Sequence, residues 1–165
     1  MPGTIQINMP MKPYLRKFLL KKYGSSYKIS FYSLLGKFLI EILDKQYRKT
    51  GDSKIRQASF YPLIIPKTIV EKVGFDMPPQ KMKRFEEMLM SLFKSELEAH
   101  IDQTVEYDLY INLNDKKYKL DVMKAMKQFL DFYKINEEEL KLESVYRDYK
   151  RQKSDVGQEK ANAFI

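Results

Sequence analysis

Apolar residues recur at helical spacing along much of the chain. The longest stripe runs through residues 85–101, after Pro78 and Pro79, which suit a first helical turn because proline lacks the N–H. A second stripe over 31–48 follows Ser30, a good N-cap residue. Further helices are predicted over 14–23, 66–73 and 118–133. The predicted core residues on these faces are Leu35, Phe38, Leu39, Ile42, Phe85, Leu89, Leu92, Phe93, Leu97, Met126, Phe129 and Leu130.

Alternating apolar and polar residues predict short strands. Ile5 and Ile7 alternate with polar neighbours in residues 4–8. Residues 58–65 are a second strand candidate, although they do not alternate in this way. Pro62 would confine that second strand to a sheet edge or a bulge. Each strand is followed by a helix that ends in glycine, so the two strands are candidates to pair with one another. Residues 105–117 also alternate and predict a short strand or an extended loop.

These elements predict a mainly α protein with a small antiparallel β element, which is the α+β class. A chain of 165 residues has the length of about one domain. Its 44% of hydrophobic residues can bury a core, which argues against disorder. We predict a single globular domain over 1–153 and a flexible polar tail over 154–165.

The C-terminal segment predicts three helices joined by short turns, over 118–133, 137–140 and 143–153. Asn136 caps the second of them, with Glu139 at the capping-box position. Such a unit over 118–153 is typical of a helix-turn-helix, whose last helix reads DNA. The candidate nucleic-acid contacts on that helix are Tyr146, Arg147, Lys150, Arg151 and Lys153. The other interpretation is a plain helical hairpin whose basic end complements its own helix dipole.

Positive charge is concentrated in one part of the chain. The formal net charge is +8, yet residues 1–60 hold 12 Lys and Arg against three Asp and Glu. A basic segment of this kind indicates a polyanionic partner, and solvated lysine heads over apolar surface are the alternative. The candidate phosphate-binding residues here are Lys12, Arg16, Lys17, Lys21, Lys22, Lys28, Arg48 and Lys49.

Residue types restrict the possible chemistry. The chain has no cysteine and one histidine, His100, which excludes disulfides, thiolate metal sites and paired-histidine catalysis. Glu96, His100 and Asp102 are a conceivable metal set, but His100 falls in an apolar stripe, where a core role is the more common one. No phosphate-binding glycine motif or nucleophile elbow occurs. We therefore predict no enzyme activity, no catalytic residue, no metal and no cofactor.

Membrane association is also not expected. No apolar segment approaches the roughly 20 residues that span a bilayer. The cations of the helix over 14–23 are spread around its axis, whereas a membrane-surface helix keeps them on one side. The expected location is the cytoplasm of a prokaryote or of an infected host cell, or a virion.

The motif Met11–Lys12–Pro13–Tyr14–Leu15 and the closing segments 137–140 and 144–151 resemble uncharacterised small basic proteins of phages and mobile elements of gut bacteria. The resemblance implies no activity and no site residues. Together with the charge map, it leads us to expect a DNA-binding regulator or replication accessory, with DNA favoured over RNA. The alternative is a structural or assembly protein of a phage that docks on an acidic protein partner or forms a homo-oligomer.

Overall fold

Helices predominate in the computed structural model, which describes residues 3–46, 59–105 and 115–162 and assigns the α+β class. The described residues form β1 (Thr4–Pro10), α1 (Pro13–Tyr23), β2 (Tyr27–Lys28), α2 (Leu34–Ile42), β3 (Phe60–Pro66), α3 (Lys67–Val73), α4 (Pro79–Thr104), α5 (Lys116–Phe132) and α6 (Leu142–Asn162). The chain divides into two compact units, Met1–Phe93 and Lys94–Ile165. Across the described ranges, every helix is too short or too polar to cross a membrane.

The sheet of the first unit has the strand order β1-β3-β2. The predicted pairing of the first two strand candidates is confirmed, because β1 and β3 are antiparallel with Thr4 opposite Pro66. The sheet is mixed rather than purely antiparallel, since β2 pairs with β3 in parallel. Pro62 therefore lies in the central strand and not at an edge. β2 pairs only with Leu63 and Ile64, so Pro62 has a paired strand on the β1 side alone.

The core of the first unit combines alternate residues of β3 with one face of α1 and the start of α4. Phe93 is central to it, with its ring centroid 5.4 Å from that of Tyr14 and 5.5 Å from that of Phe18. Edge-on aromatic pairs of this kind add to the free energy gained by burial. Of the predicted core residues in this unit, Phe38 and Leu92 are only half-buried. The others are confirmed as buried: Leu35, Leu39, Ile42, Phe85, Leu89 and Phe93.

Helix α2 is shorter than predicted at both ends, and its N-cap is Ser33 rather than Ser30. The side chain of Ser33 accepts a hydrogen bond from the backbone of Gly36, and α2 ends at Ile42. Both serines are suitable caps by residue type, so only the packing of the segment distinguishes them. As a result, Phe31 precedes the helix and is exposed rather than part of its buried stripe.

The second unit contains the end of α4 together with α5 and α6. The predicted core residues Leu97, Met126, Phe129 and Leu130 are buried. The predicted short helix over 137–140 is a turn, so α5 and α6 are not joined by a third helix. Its capping box is present nonetheless, because the backbone N–H groups of Asn136 and Glu139 each donate to the other residue's side chain at 3.1 Å.

The boundaries of α5 and α6 also differ from the predicted ones. Asp115 caps α5 by accepting hydrogen bonds from the backbone N–H groups of Lys117 and Tyr118. α6 continues to Asn162, so the predicted polar tail is helical as far as that residue. Most of the extended segment predicted over 105–117 lies outside the described residues.

Candidate nucleic-acid interface

Helix α1 carries cations and no acidic residue on the side that faces away from its core. Tyr14, Leu15, Phe18 and Leu19 are buried, and Gly24, with φ of 83°, ends the helix. Lys17 and Lys21 are spaced i, i+4, where like charges repel and destabilise a helix by a few tenths of a kcal/mol, about 0.2–0.5. Lys21 also lies in the last turn, where a cation is favourable. Helix α1 thus carries its positive charge with no acidic residue of its own.

Two of the predicted phosphate-binding residues hold α1 in place within the first unit. The Nζ atom of Lys12 lies 3.7 Å from a carboxylate oxygen of Glu86. The Nε atom of Arg16 donates a hydrogen bond to the backbone oxygen of Phe60 at 2.9 Å. These contacts give both side chains a structural role, so they are secondary candidates for binding a ligand.

Four other predicted phosphate-binding residues of the first unit lie among the described residues. We call them the α1–β2 basic surface: Lys17, Lys21, Lys22 and Lys28. Lys21, Lys22 and Lys28 are exposed and Lys17 is half-buried. The ammonium of Lys22 lies over the ring of Phe18, 5.2 Å from its centroid, in a cation–π contact. Arg48 and Lys49 were also predicted to bind nucleic acid, and they lie outside the described residues.

Tyrosines link the end of α1 to the segment that precedes α2. The rings of Tyr23 and Tyr27 meet edge-on with 5.1 Å between centroids, and the Tyr27 hydroxyl is hydrogen-bonded to that of Ser33. Tyr61 donates to the backbone oxygen of Gly24 at 3.0 Å. Burial, together with the neighbouring Tyr23 and Tyr27, raises the pKa of Tyr61 from 10.0 to about 12.

The structure does not present all of the predicted contacts on α6 to solvent. Tyr146 is buried, and the ammonium of Lys119 lies over its ring at 5.3 Å from the centroid. Arg147 is exposed and Lys150 is half-buried. Arg151 is also exposed, but its guanidinium is paired with Asp148 at 2.7 Å. Tyr146 is therefore not part of the candidate interface, because a buried ring has no face free for a ligand.

Lys153 is the most strongly paired of the predicted α6 contacts. Its ammonium lies 3.1 Å from Glu98 and 2.8 Å from Asp102. Burial alone would lower the pKa of Lys153, but the hydrogen bonds to Asp102 and Glu98, together with the charges of these carboxylates, outweigh it and raise the pKa. A cation held between two carboxylates is poorly placed to bind phosphate, so Lys153 has a structural role in the second unit.

The conceivable metal set is also engaged in the packing of the second unit. Tyr133 donates to Glu96 at 3.1 Å, and Tyr149 donates to Asp102 at 3.3 Å. The ring of His100 lies against Phe129, with 5.6 Å between centroids. Among the described residues, no three His, Asp or Glu side chains are grouped so that they could hold a metal ion.

Sequence reasoning missed an exposed apolar turn next to the basic surface. We call it the Phe31–Leu34 turn; Tyr32 is 96% exposed, Leu34 is 78% exposed and Phe31 is 41% exposed. The helical spacing of Phe31 and Leu34 predicted burial, but Ser33 starts the helix after Phe31. The signal that could have revealed this was Ser33 itself, a second cap residue three positions before a glycine.

Comparison of the chain with protein-family models gave no match, and searches of curated proteins and of solved structures gave none either.

Proposed function

We propose that this protein binds nucleic acid, with DNA favoured over RNA, through the α1–β2 basic surface. The observation that carries the proposal is the composition and exposure of this segment. Helix α1 contains Arg16 and three lysines but no acidic residue, and its Lys21 and Lys22 are exposed. Lys28 of β2 is exposed as well. Ammonium groups in this arrangement neutralise phosphates and release condensed counterions. Such contacts are independent of sequence and weaken steeply as salt is added.

The contrast with the second unit supports this choice of surface. There, the side chain of Lys153 is only 15% exposed and lies between Glu98 and Asp102, whereas Lys21, Lys22 and Lys28 are exposed. In the helix-turn-helix proposal, Arg147 and Lys150 would remain as base contacts of α6. That proposal is the weaker one, because residues 133–141 separate α5 from α6, whereas a helix-turn-helix uses a turn of about three or four residues.

The cellular role that fits this binding is that of a phage or mobile-element regulator or replication accessory, located in the cytoplasm. It would act without a cofactor and without catalysis. The alternative role, an assembly protein of a virion, would use the same basic surface to dock on an acidic protein.

A titration of labelled random-sequence DNA, duplex and single strand, tests the proposal by fluorescence anisotropy at several salt concentrations. If the four cations of the α1–β2 basic surface each contact a phosphate, the logarithm of the association constant should fall with the logarithm of salt with a slope of roughly −3 to −4. That slope corresponds to a loss of affinity on the order of 100-fold between 50 and 200 mM salt.

A pair of charge-reversal variants tests the location. The first combines Lys21→Glu, Lys22→Glu and Lys28→Glu; the control combines Lys117→Glu, Lys124→Glu and Lys127→Glu, which are exposed on α5 and change the net charge equally. We expect the first to lose at least tenfold in affinity, roughly 1.4 kcal/mol or more, and the control much less. An equal loss in both variants would show a response to net charge only and would contradict the proposal. Binding of neither DNA form by the unaltered protein would leave the assembly role as the better explanation.

A further inference from the structure

The Phe31–Leu34 turn presents an aromatic ring to solvent on a well-supported piece of backbone. Tyr32 is 96% exposed, so its ring contributes almost nothing to the core. Its backbone N–H is nevertheless hydrogen-bonded to the side chain of Ser30 at 3.2 Å. A ring of this size on a fixed backbone loses little further freedom on binding, because tyrosine has only two side-chain torsions.

Several contacts on either side of Tyr32 support that backbone. The Ser33 hydroxyl accepts from the N–H of Gly36 at 3.0 Å and donates to the oxygen of Ser30 at 3.5 Å. Tyr27, from β2, is hydrogen-bonded to the same Ser33 hydroxyl. Just before the turn, Ile29 donates to the backbone of Ile64 in β3 at 2.9 Å. The turn is thus attached to both the sheet and α2.

Cations lie beside this exposed turn. The ammonium of Lys72 is 5.4 Å from the ring centroid of Phe31. Lys28 precedes the turn and Lys37 follows it, and both are exposed. Aromatic rings flanked by cations form the usual arrangement for binding single-stranded nucleic acid, in which bases stack on the rings and phosphates contact the cations.

We propose that the Phe31–Leu34 turn binds single-stranded nucleic acid by stacking a base on the ring of Tyr32. The inference rests on the proposed function, because the α1–β2 basic surface would hold the backbone of the same strand. A duplex keeps its bases stacked on one another, whereas a single strand offers their faces to a protein side chain. The protein should therefore prefer single-stranded nucleic acid to a duplex.

The test compares four labelled ligands of equal length by anisotropy: a poly-dT strand, a poly-rU strand, a duplex and an abasic DNA strand that keeps the phosphates but has no bases. We expect the poly-dT strand to bind more tightly than both the duplex and the abasic strand. Tyr32→Ala should weaken binding of poly-dT by about 5- to 150-fold, the range for loss of one stacked base, and Tyr32→Phe should retain it. Tyr32→Ala should leave the affinity for the abasic strand unchanged. The poly-rU strand shows whether RNA is accepted in the same way.

Leu34→Ala provides the matched control, because Leu34 is exposed in the same turn but has no aromatic face. It should leave the affinity for poly-dT unchanged. A loss equal to that of Tyr32→Ala would indicate general apolar contact and would overturn the stacking proposal.

Tryptophan fluorescence gives an independent readout, since the chain contains no tryptophan and Tyr32→Trp would introduce a single emitter. Poly-dT should quench that emission, and the abasic strand should not. Salt-sensitive binding without quenching, and without an effect of Tyr32→Ala, would overturn this inference and leave the phosphate-binding function intact. Failure of every ligand to bind would overturn both. Self-association abolished by Tyr32→Ala, in the absence of any nucleic-acid binding, would assign the turn to a contact between copies of the chain.

Discussion

Ser33 accepts a hydrogen bond from the backbone N–H of Gly36, with 3.0 Å between oxygen and nitrogen. This contact starts α2 and holds the Phe31–Leu34 turn against it. The helix begins so close to the preceding backbone that a Cβ on Gly36 would collide with the carbonyl oxygen of Ser30 and would lie 2.6 Å from the Ser33 oxygen. Space, and not backbone conformation, therefore requires glycine at this position.

Gly36→Ala should destabilise the protein by about 1–3 kcal/mol, the range for overpacking against atoms that cannot move freely. In an open helix interior the same change stabilises by roughly 0.5–1 kcal/mol, so the sign of the effect is diagnostic. The free energy of unfolding, measured by chemical denaturation, checks this prediction. Gly24→Ala is an informative comparison, because Gly24 has open space but a φ of 83°. An increase in stability for Gly36→Ala would show that the approach to Ser30 is not close.

Ser33→Ala should lower the free energy of unfolding by about 0.5–2 kcal/mol through loss of the N-cap. It also removes the partner of the Tyr27 hydroxyl, which favours the upper part of that range. Ser25→Ala, at an exposed position outside the helices, is the control and should have almost no effect. Equal stability of the two variants in urea denaturation would argue that Ser33 does not cap α2.

Asp148→Asn should reduce the stability of the second unit in a way that depends on pH. Hydrogen bonding to Lys94 is the main cause that lowers the pKa of Asp148, opposed by burial and assisted by the charges of Lys94 and Arg151. A lowered pKa in the folded state means that the carboxylate stabilises the protein at neutral pH, and that this contribution disappears as the pH falls through that pKa. The side chain is 38% exposed, so solvent screening limits the effect to about 1 kcal/mol or less.

Unfolding measurements from neutral to strongly acidic pH check the behaviour of Asp148. The unaltered protein should be the more stable one at neutral pH, and the two stability curves should converge in acid. A constant difference at all pH values would indicate a packing effect of the substitution rather than loss of the charge.

Tyr133→Phe should alter the alkaline end of the stability curve. Burial, followed by the charge of Glu96 and the hydrogen bond to it, raises the pKa of Tyr133 from 10.0 to about 12. A raised pKa in the folded state stabilises the protein below pH 10, and this stabilisation is lost as the pH rises from 10 towards 12. The variant should be less stable at neutral pH by about 1 kcal/mol, the typical value for one hydrogen bond, and should lose stability less steeply in that alkaline range.

Ultraviolet difference absorbance follows the ionisation of the tyrosines and checks the assignment directly. Tyr149, whose pKa is also raised by burial and by its hydrogen bonds to Tyr118 and Asp102, should not contribute to the absorbance change of either protein in this range. A difference between the two titrations that is centred near pH 10 rather than near pH 12 would contradict the raised pKa of Tyr133.

Local pattern was sufficient to locate most of the helices, though not all of their ends, and much of the core. The i, i+4, i+8 spacing of Phe85, Leu89 and Phe93 specifies one face of a helix, and that face is buried. The pairing of β1 with β3 was also predictable, because each strand is followed by a helix that ends in glycine. These features depend on the order of residue types over short distances, which the sequence contains in full.

The sequence by itself also determined where positive charge is concentrated and that α1 carries no acidic residue. It did not determine which cations are paired, because the partners of Lys153 are Glu98 and Asp102, about fifty positions earlier in the chain. It did not decide between Ser30 and Ser33 as the start of α2, since both residues are good caps. Only the tertiary structure settled these points: long-range packing chooses among local alternatives of similar free energy, and that choice left Tyr32 exposed and Tyr146 buried.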